Sequence, residues 1–146
     1  MNTTPGHRIV AGVDGSPSSM SGLQWAVEQA RLTASKVDAV IAWHYPAVTG
    51  GFGMAPIVMF DDFDFAEAAE KVLAAAVAEA VPDAADAVRQ LVVEGNPAQV
   101  LLDAAEGADL LVVGSRGHGG FGGTMLGSVG QHCVYHAHCP VLVMRH

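Results

Sequence analysis

Five short apolar runs, separated by stretches with helical spacing, constrain this chain more than any other feature. The runs are RIVAGVD (8–14), VDAVIAW (37–43), VRQLVVEG (88–95), DLLVVG (109–114) and CPVLVMR (139–145). Ser16-Pro17 follows the first run as an N-cap with proline in the first helical position, and Leu23, Ala26, Val27 and Ala30 continue at helical spacing. From about Asp64 the chain is Ala-rich and helical, with Phe65, Ala69, Val72, Ala76 and Ala80 on one side and Asp64 with Glu67 as a capping box. Asn96-Pro97-Ala98-Gln99 and Ser128-Val129-Gly130-Gln131 are two further capping boxes. Strands that alternate with helices pair in parallel through right-handed crossovers. The expected fold is therefore α/β, a single open five-stranded parallel sheet with helices on both faces, in one domain spanning residues 1–146. The strands are apolar runs rather than alternating patterns, as a sheet covered on both faces requires.

In such sheets ligands bind beyond the carboxyl ends of the strands, where the strand order reverses. Two segments following strands are candidates: Gly12-Val13-Asp14-Gly15-Ser16 and the stretch VGSRGHGGFGGTMLGSVGQ (113–131). The latter region holds eight of the 17 glycines, all from Gly114 to Gly130. Glycine lets a ligand approach the main chain closely. The segment closes on a helix start, whose unpaired N–H groups and dipole favour an anion. No Asp or Glu occurs after Asp109, so this segment lies in a region free of carboxylates.

Composition excludes several functions. The net charge is −8, from 7 basic and 15 acidic residues, which disfavours nucleic acid and anionic membrane as partners. Aromatic residues are 6% of the chain, too few for a base-stacking platform. No apolar run is long enough to span a bilayer, and MNTTPGHR lacks the apolar region of a signal peptide. Cys133 and Cys139 form no C-x-x-C pair. A cytoplasmic, reducing setting is the expectation.

The chain resembles the universal stress protein family nearly end to end: GVDGS after the opening strand, VIAWHYP, EGNPAQVLLDAA, ADLLVVGSRG and LGSVGQHCVYHAHCPVLVMR. The spacing Gly114-x2-Gly117-x9-Gly127-Ser128 is similar to the signature of its ATP-binding branch. The resemblance implies a Rossmann-like sheet of order 3-2-1-4-5, a homodimer joined through the last strand, and ATP or a related adenine nucleotide as ligand. It further implies that Asp14 contacts the ribose, with Gly12 and Val13 leading into it, and that the Ala42 main chain bonds the adenine. Gly114, Arg116 and Gly117 would wrap phosphates and ribose, and Gly127, Ser128 and Val129 would hold phosphates. Many relatives carry a second hydroxyl residue where this chain has Gly130, so one side-chain contact is replaced by backbone alone.

Bare residue chemistry leaves other readings open. A carboxylate repels phosphate, so Asp14 suits a ribose hydroxyl or phosphate-bound Mg²⁺, or it simply caps the first helix or closes the turn with Gly15. Arg116 is alternatively a solvated loop residue. There is no Walker A lysine, and G-x-G-x-x-G at 117–122 does not open a helix. His132 and His136 stand four apart, but Cys133 occupies the place of the catalytic Glu in a zinc-protease helix, and helical spacing from Val129 and Ala137 makes Cys133 a core residue. The function these features suggest is a stress-response regulatory protein that binds an adenine nucleotide with slow or no hydrolysis. The alternatives are a weak ATPase or adenylyl-transfer enzyme, with His118 as the base, and a nucleotide-free dimeric interaction module.

Overall fold

The computed structural model describes residues 6–45, 64–116 and 127–145. Five strands, β1 (Arg8–Gly12), β2 (Lys36–Trp43), β3 (Val88–Glu94), β4 (Leu110–Gly114) and β5 (Val141–Met144), form one parallel sheet of order β3-β2-β1-β4-β5. The helices are α1 (Pro17–Thr33), α2 (Phe65–Ala80), α3 (Pro97–Ala104) and α4 (Ser128–His136), with a 3₁₀ turn at Ala85–Ala87. The class and strand order agree with the sequence expectation.

Three of the four helix starts, those of α1, α2 and α3, have a local cause. Ser16 caps α1, its hydroxyl accepting the Ser19 N–H, and Pro17 occupies the first helical position. Asp64 caps α2 through the Glu67 N–H at 2.9 Å, and Asn96 caps α3 through the Gln99 N–H at 3.2 Å. Both boxes are formed on the cap side, whereas the Glu67 side chain pairs with Lys71 and that of Gln99 with Asp103. The expected box at Ser128 is not formed. Gly127 is the cap residue, with no side-chain cap bond, and Ser128 is already helical.

Pleating divides the core into two layers. Ile9, Ala11, Val37, Ala39, Ile41 and Val112 face α1 and α2, while Val10, Val40, Leu111 and Val113 face α3 and α4. Leu23, Leu73 and Leu111 are fully buried, each contributing roughly 1.5–3 kcal/mol relative to exposure. On α2 the buried stripe is Ala69, Leu73, Ala76, Val77 and Ala80; Val72, expected among them, is exposed. The central strands are covered on both faces, but the edge strands β3 and β5 are not, and β5 is only half-buried throughout.

Asp38, part of an otherwise apolar run, is buried at 3% exposure on β2. Register places it beside Arg89, whose guanidinium donates to both carboxylate oxygens at 3.0 and 2.9 Å. Arg8 approaches the same carboxylate at 3.4 Å and donates to the Ala104 and Glu106 carbonyls. It therefore ties the C-terminal end of α3 to the sheet, where a cation also suits the helix dipole.

Candidate functional site

β1 and β4 are neighbours, but β1 leads through α1 to β2 on one side, and β4 leads through α4 to β5 on the other. Their carboxyl ends therefore form the switch point, and the two segments singled out in the sequence meet there. Beyond β1, Val13 is buried and its N–H donates to the Val40 carbonyl at 2.8 Å. Asp14 Oδ1 accepts the Ser16 N–H at 2.9 Å, with Gly15 at φ 83° completing the turn. The turn-closing role open to Asp14 is thus realised, and it fixes where the carboxylate stands.

Beyond β4, Gly114 runs so close to the first turn of α1 that an added Cβ would collide with Ser18 Oγ and lie 2.8 Å from the Ser19 nitrogen. The Arg116 side chain is exposed, but its main chain is held: its carbonyl accepts from Ser18 Oγ at 2.8 Å and from Ser16 Oγ at 3.1 Å. Ser115 accepts the Gly127 N–H at 2.8 Å. Gly117 and His118, both singled out in the sequence, lie outside the described residues, as does the long apolar loop at 46–63.

The α4 helix begins against this mouth. Its first intrahelical bond runs from the Gln131 N–H to the Gly127 carbonyl. The N–H groups of Ser128, Val129 and Gly130 therefore precede the helical ladder, and no described side chain caps them. Ser128 is exposed, Val129 half-buried and Gly130 buried.

Ala42 completes the arrangement on the β2 side. The Val40 carbonyl faces β1 and the Trp43 carbonyl faces β3, where it accepts the Gly95 N–H. Main-chain groups alternate sides along a strand. Those of Ala42 thus point toward β1, two residues past the last rung of the β1–β2 ladder at Gly12 and Val40.

These groups offer acceptors and donors together: main-chain groups beyond β2, the accepting carboxylate of Asp14 after β1, and N–H donors at the start of α4, which suit an anion. For a divalent cation, Asp14 is one carboxylate. Among the described residues no group of three or more His, Cys, Asp or Glu side chains is placed to hold a metal ion. Mg²⁺ would thus need ligand phosphate oxygens and water. Cys133 is fully buried beside Val129 and Ala137, as its spacing suggested. Burial pushes its thiol up to about 11, so it is inert as a nucleophile at neutral pH.

Sequence reasoning missed Ser18 and Ser115. Nothing local marks either one, because both act through main-chain groups distant in sequence. The crowding of serines in S-P-S-S was the only available signal.

The strand order and the helices on both faces define a doubly wound α/β domain with its switch point between β1 and β4. Within that class, residues 6–145 match the Universal stress protein family, and the chain belongs to that family. It is 35% identical over 141 residues to Universal stress protein Rv2623 of Mycobacterium tuberculosis, covering 94% of this chain and 44% of the relative. The chain thus spans less than half the length of the curated relatives it matches. Among solved structures, the universal stress protein UspA from Lactobacillus plantarum superposes with a TM-score of 0.75 at 22% identity, over 95% of this chain and 97% of that one. A universal stress protein in complex with cAMP superposes at 0.66 with 26% identity, over 94% and 95%. The universal stress protein from Archaeoglobus fulgidus in complex with dAMP superposes at 0.60 with 23% identity, over 95% and 97%. Among the described residues no helix is long and apolar enough to cross a membrane.

Proposed function

We propose that this chain is a cytoplasmic stress-response regulator that binds ATP, or a related adenine nucleotide, in the crevice beyond β1 and β4, and hydrolyses it slowly or not at all. The observation that carries this reading is the start of α4, where the N–H groups of Ser128, Val129 and Gly130 lack a described cap beside the switch point. Phosphates satisfy such groups and the helix dipole together. The Ala42 main chain would bond the adenine edge, and Asp14 the ribose or a phosphate-bound Mg²⁺. Gly12 and Gly114 allow the close packing at the crevice walls: an added Cβ on Gly12 would lie 2.8 Å from Leu101 Cδ1. Gly117 would add to the phosphate contacts, and the Gly127 N–H is already engaged by Ser115. The family's cAMP complex supports the adenine-nucleotide class.

Slow turnover follows from chemistry. Phosphoryl transfer needs concentrated positive charge and a positioned nucleophile, and segment 113–131 contains no lysine and a single arginine, Arg116. We also propose that two copies pair through β5, the half-buried apolar edge strand, since an open edge offers unpaired main-chain groups.

Calorimetric titration with ATP, with and without Mg²⁺, tests the binding. Saturable one-to-one binding in the wild type, lost in Gly127→Phe, is the expected result. Absence of binding in the wild type, or equal affinity in Gly127→Phe, overturns it. Light scattering that finds a monomer removes the dimer from the proposal.

A further inference from the structure

The serines at the start of α1 do more than begin a helix. Ser16, Ser18 and Ser19 are buried at 3–4% exposure. One cap hydroxyl suffices to start α1, and Ser16 supplies it. The Ser18 hydroxyl instead bridges to a single residue 98 positions away, donating to the Arg116 carbonyl at 2.8 Å and accepting the Arg116 N–H at 3.3 Å. Ser16 Oγ adds a second donor to the same carbonyl at 3.1 Å. The close approach exists only because Gly114 has no Cβ, which would strike Ser18 Oγ. Gly114 is therefore required at this position by packing against α1, whatever the ligand.

We infer that Ser18 is a positioning residue, a latch that holds the Arg116 peptide against α1 and sets where the main chain leaves β4 on the phosphate side of the crevice. The Ser18 hydroxyl bonds both groups of that peptide, so its loss leaves the part-buried N–H without this partner and the carbonyl with Ser16 Oγ alone. The same serine turn carries Asp14, whose N–H donates to Ser19 Oγ at 3.3 Å and whose carboxylate accepts from Ser16. The latch thus fixes the β4 exit relative to the Asp14 carboxylate. The latch itself stands on geometry alone, and its effect on ligand affinity rests on the nucleotide reading above.

The experiment compares wild type with Ser18→Ala and Ser18→Cys. Cysteine keeps nearly the size of serine and is a weak hydrogen-bond donor, so it preserves packing where alanine leaves a gap. Limited trypsin digestion of the native protein reports the latch directly, because the bond after Arg116 is a tryptic site whose own carbonyl the latch holds. Cleavage there is expected to quicken about tenfold in both variants, the factor given by losing roughly one net hydrogen bond. Cleavage after Lys71, within α2, stays at the wild-type rate and excludes general unfolding. ATP affinity falls several-fold while adenosine affinity is unchanged, a split that a merely destabilised protein would not show. Unchanged cleavage after Arg116 in Ser18→Cys overturns the latch. Faster cleavage with equal losses, or no loss, for ATP and adenosine overturns the positioning role. A wild type that binds neither ligand defeats the nucleotide reading and with it the positioning role, while the cleavage ratio still decides the latch.

Discussion

Ser115 and Gly127 are joined across the mouth of the glycine-rich segment, the Gly127 N–H donating to the Ser115 carbonyl at 2.8 Å. Ser115 in turn donates its own N–H to the Met144 carbonyl at the end of β5. The segment between them therefore enters and leaves at one point, at the sheet's carboxyl edge. This bond also holds Gly127 extended, at φ −64° and ψ 161°, and so places the first turn of α4 against the crevice.

Ser128→Asp separates ligand binding from folding. An acidic residue in the first turn of α4 favours the helix dipole by about 0.3–1 kcal/mol at an exposed position, so the melting temperature is expected to hold or rise. The same charge would repel phosphates, and ATP affinity measured by calorimetry is expected to fall at least tenfold. Unchanged affinity would place the phosphates elsewhere.

Asp38→Ala tests the buried carboxylate between Arg8 and Arg89. It removes every acceptor that Arg89 uses here and one of those used by Arg8, which keeps the Ala104 and Glu106 carbonyls. Arg89 is largely exposed and regains water. The cost is therefore expected near about 1–3 kcal/mol, the range for disrupting a buried hydrogen-bonded group, below that of stranding a fully buried charge. A urea unfolding curve gives the value.

The two thiols differ in access. Cys133 is fully buried and Cys139 half-buried, and burial raises both. Alkylation of the native protein at pH 8 is expected to label Cys139 first and Cys133 only on unfolding, read by mass spectrometry. The Cys133 thiol stands at about 11 when folded, against an ordinary 9.0. Its raised value makes a stabilising contribution that is complete below pH 9 and is lost as pH rises toward 11. Urea midpoints that fall between pH 8 and 10.5, and fall less in Cys133→Ala, would show it.

Asp109 acts at the other end of the pH scale. Its carboxylate accepts the Arg8 N–H at 2.8 Å, which holds it below the usual 3.8. A depressed carboxylate stabilises the fold above its unfolded value, and the contribution is lost as pH falls through the folded value. Asp109→Asn is expected to unfold with a shallower dependence on pH below 4, followed by circular dichroism.

What the sequence determined by itself was local. Ser16-Pro17, Asp64 and Asn96 start helices because capping needs only residues three apart, and the strand–helix alternation led to the parallel sheet. The strand order came by resemblance and agrees with the observed sheet. On the Ala-rich α2 the expected Ala69, Ala76 and Ala80 are buried but Val72 is not: small side chains carry weak directional signal, and packing against β2 and β3 turned the stripe toward Leu73 and Val77. The S-x-x-Q match placed the α4 cap one residue late, because the Gly127 N–H donates to the distant Ser115 carbonyl and holds Gly127 in the cap position. Asp38 was hidden in an apolar run, and its partners follow from strand register, which no single strand encodes. Ser18 and Arg116 meet only when β4 lies beside β1 with α1 folded over both. Contacts of that kind depend on the relative placement of whole elements, and only the tertiary structure decides it.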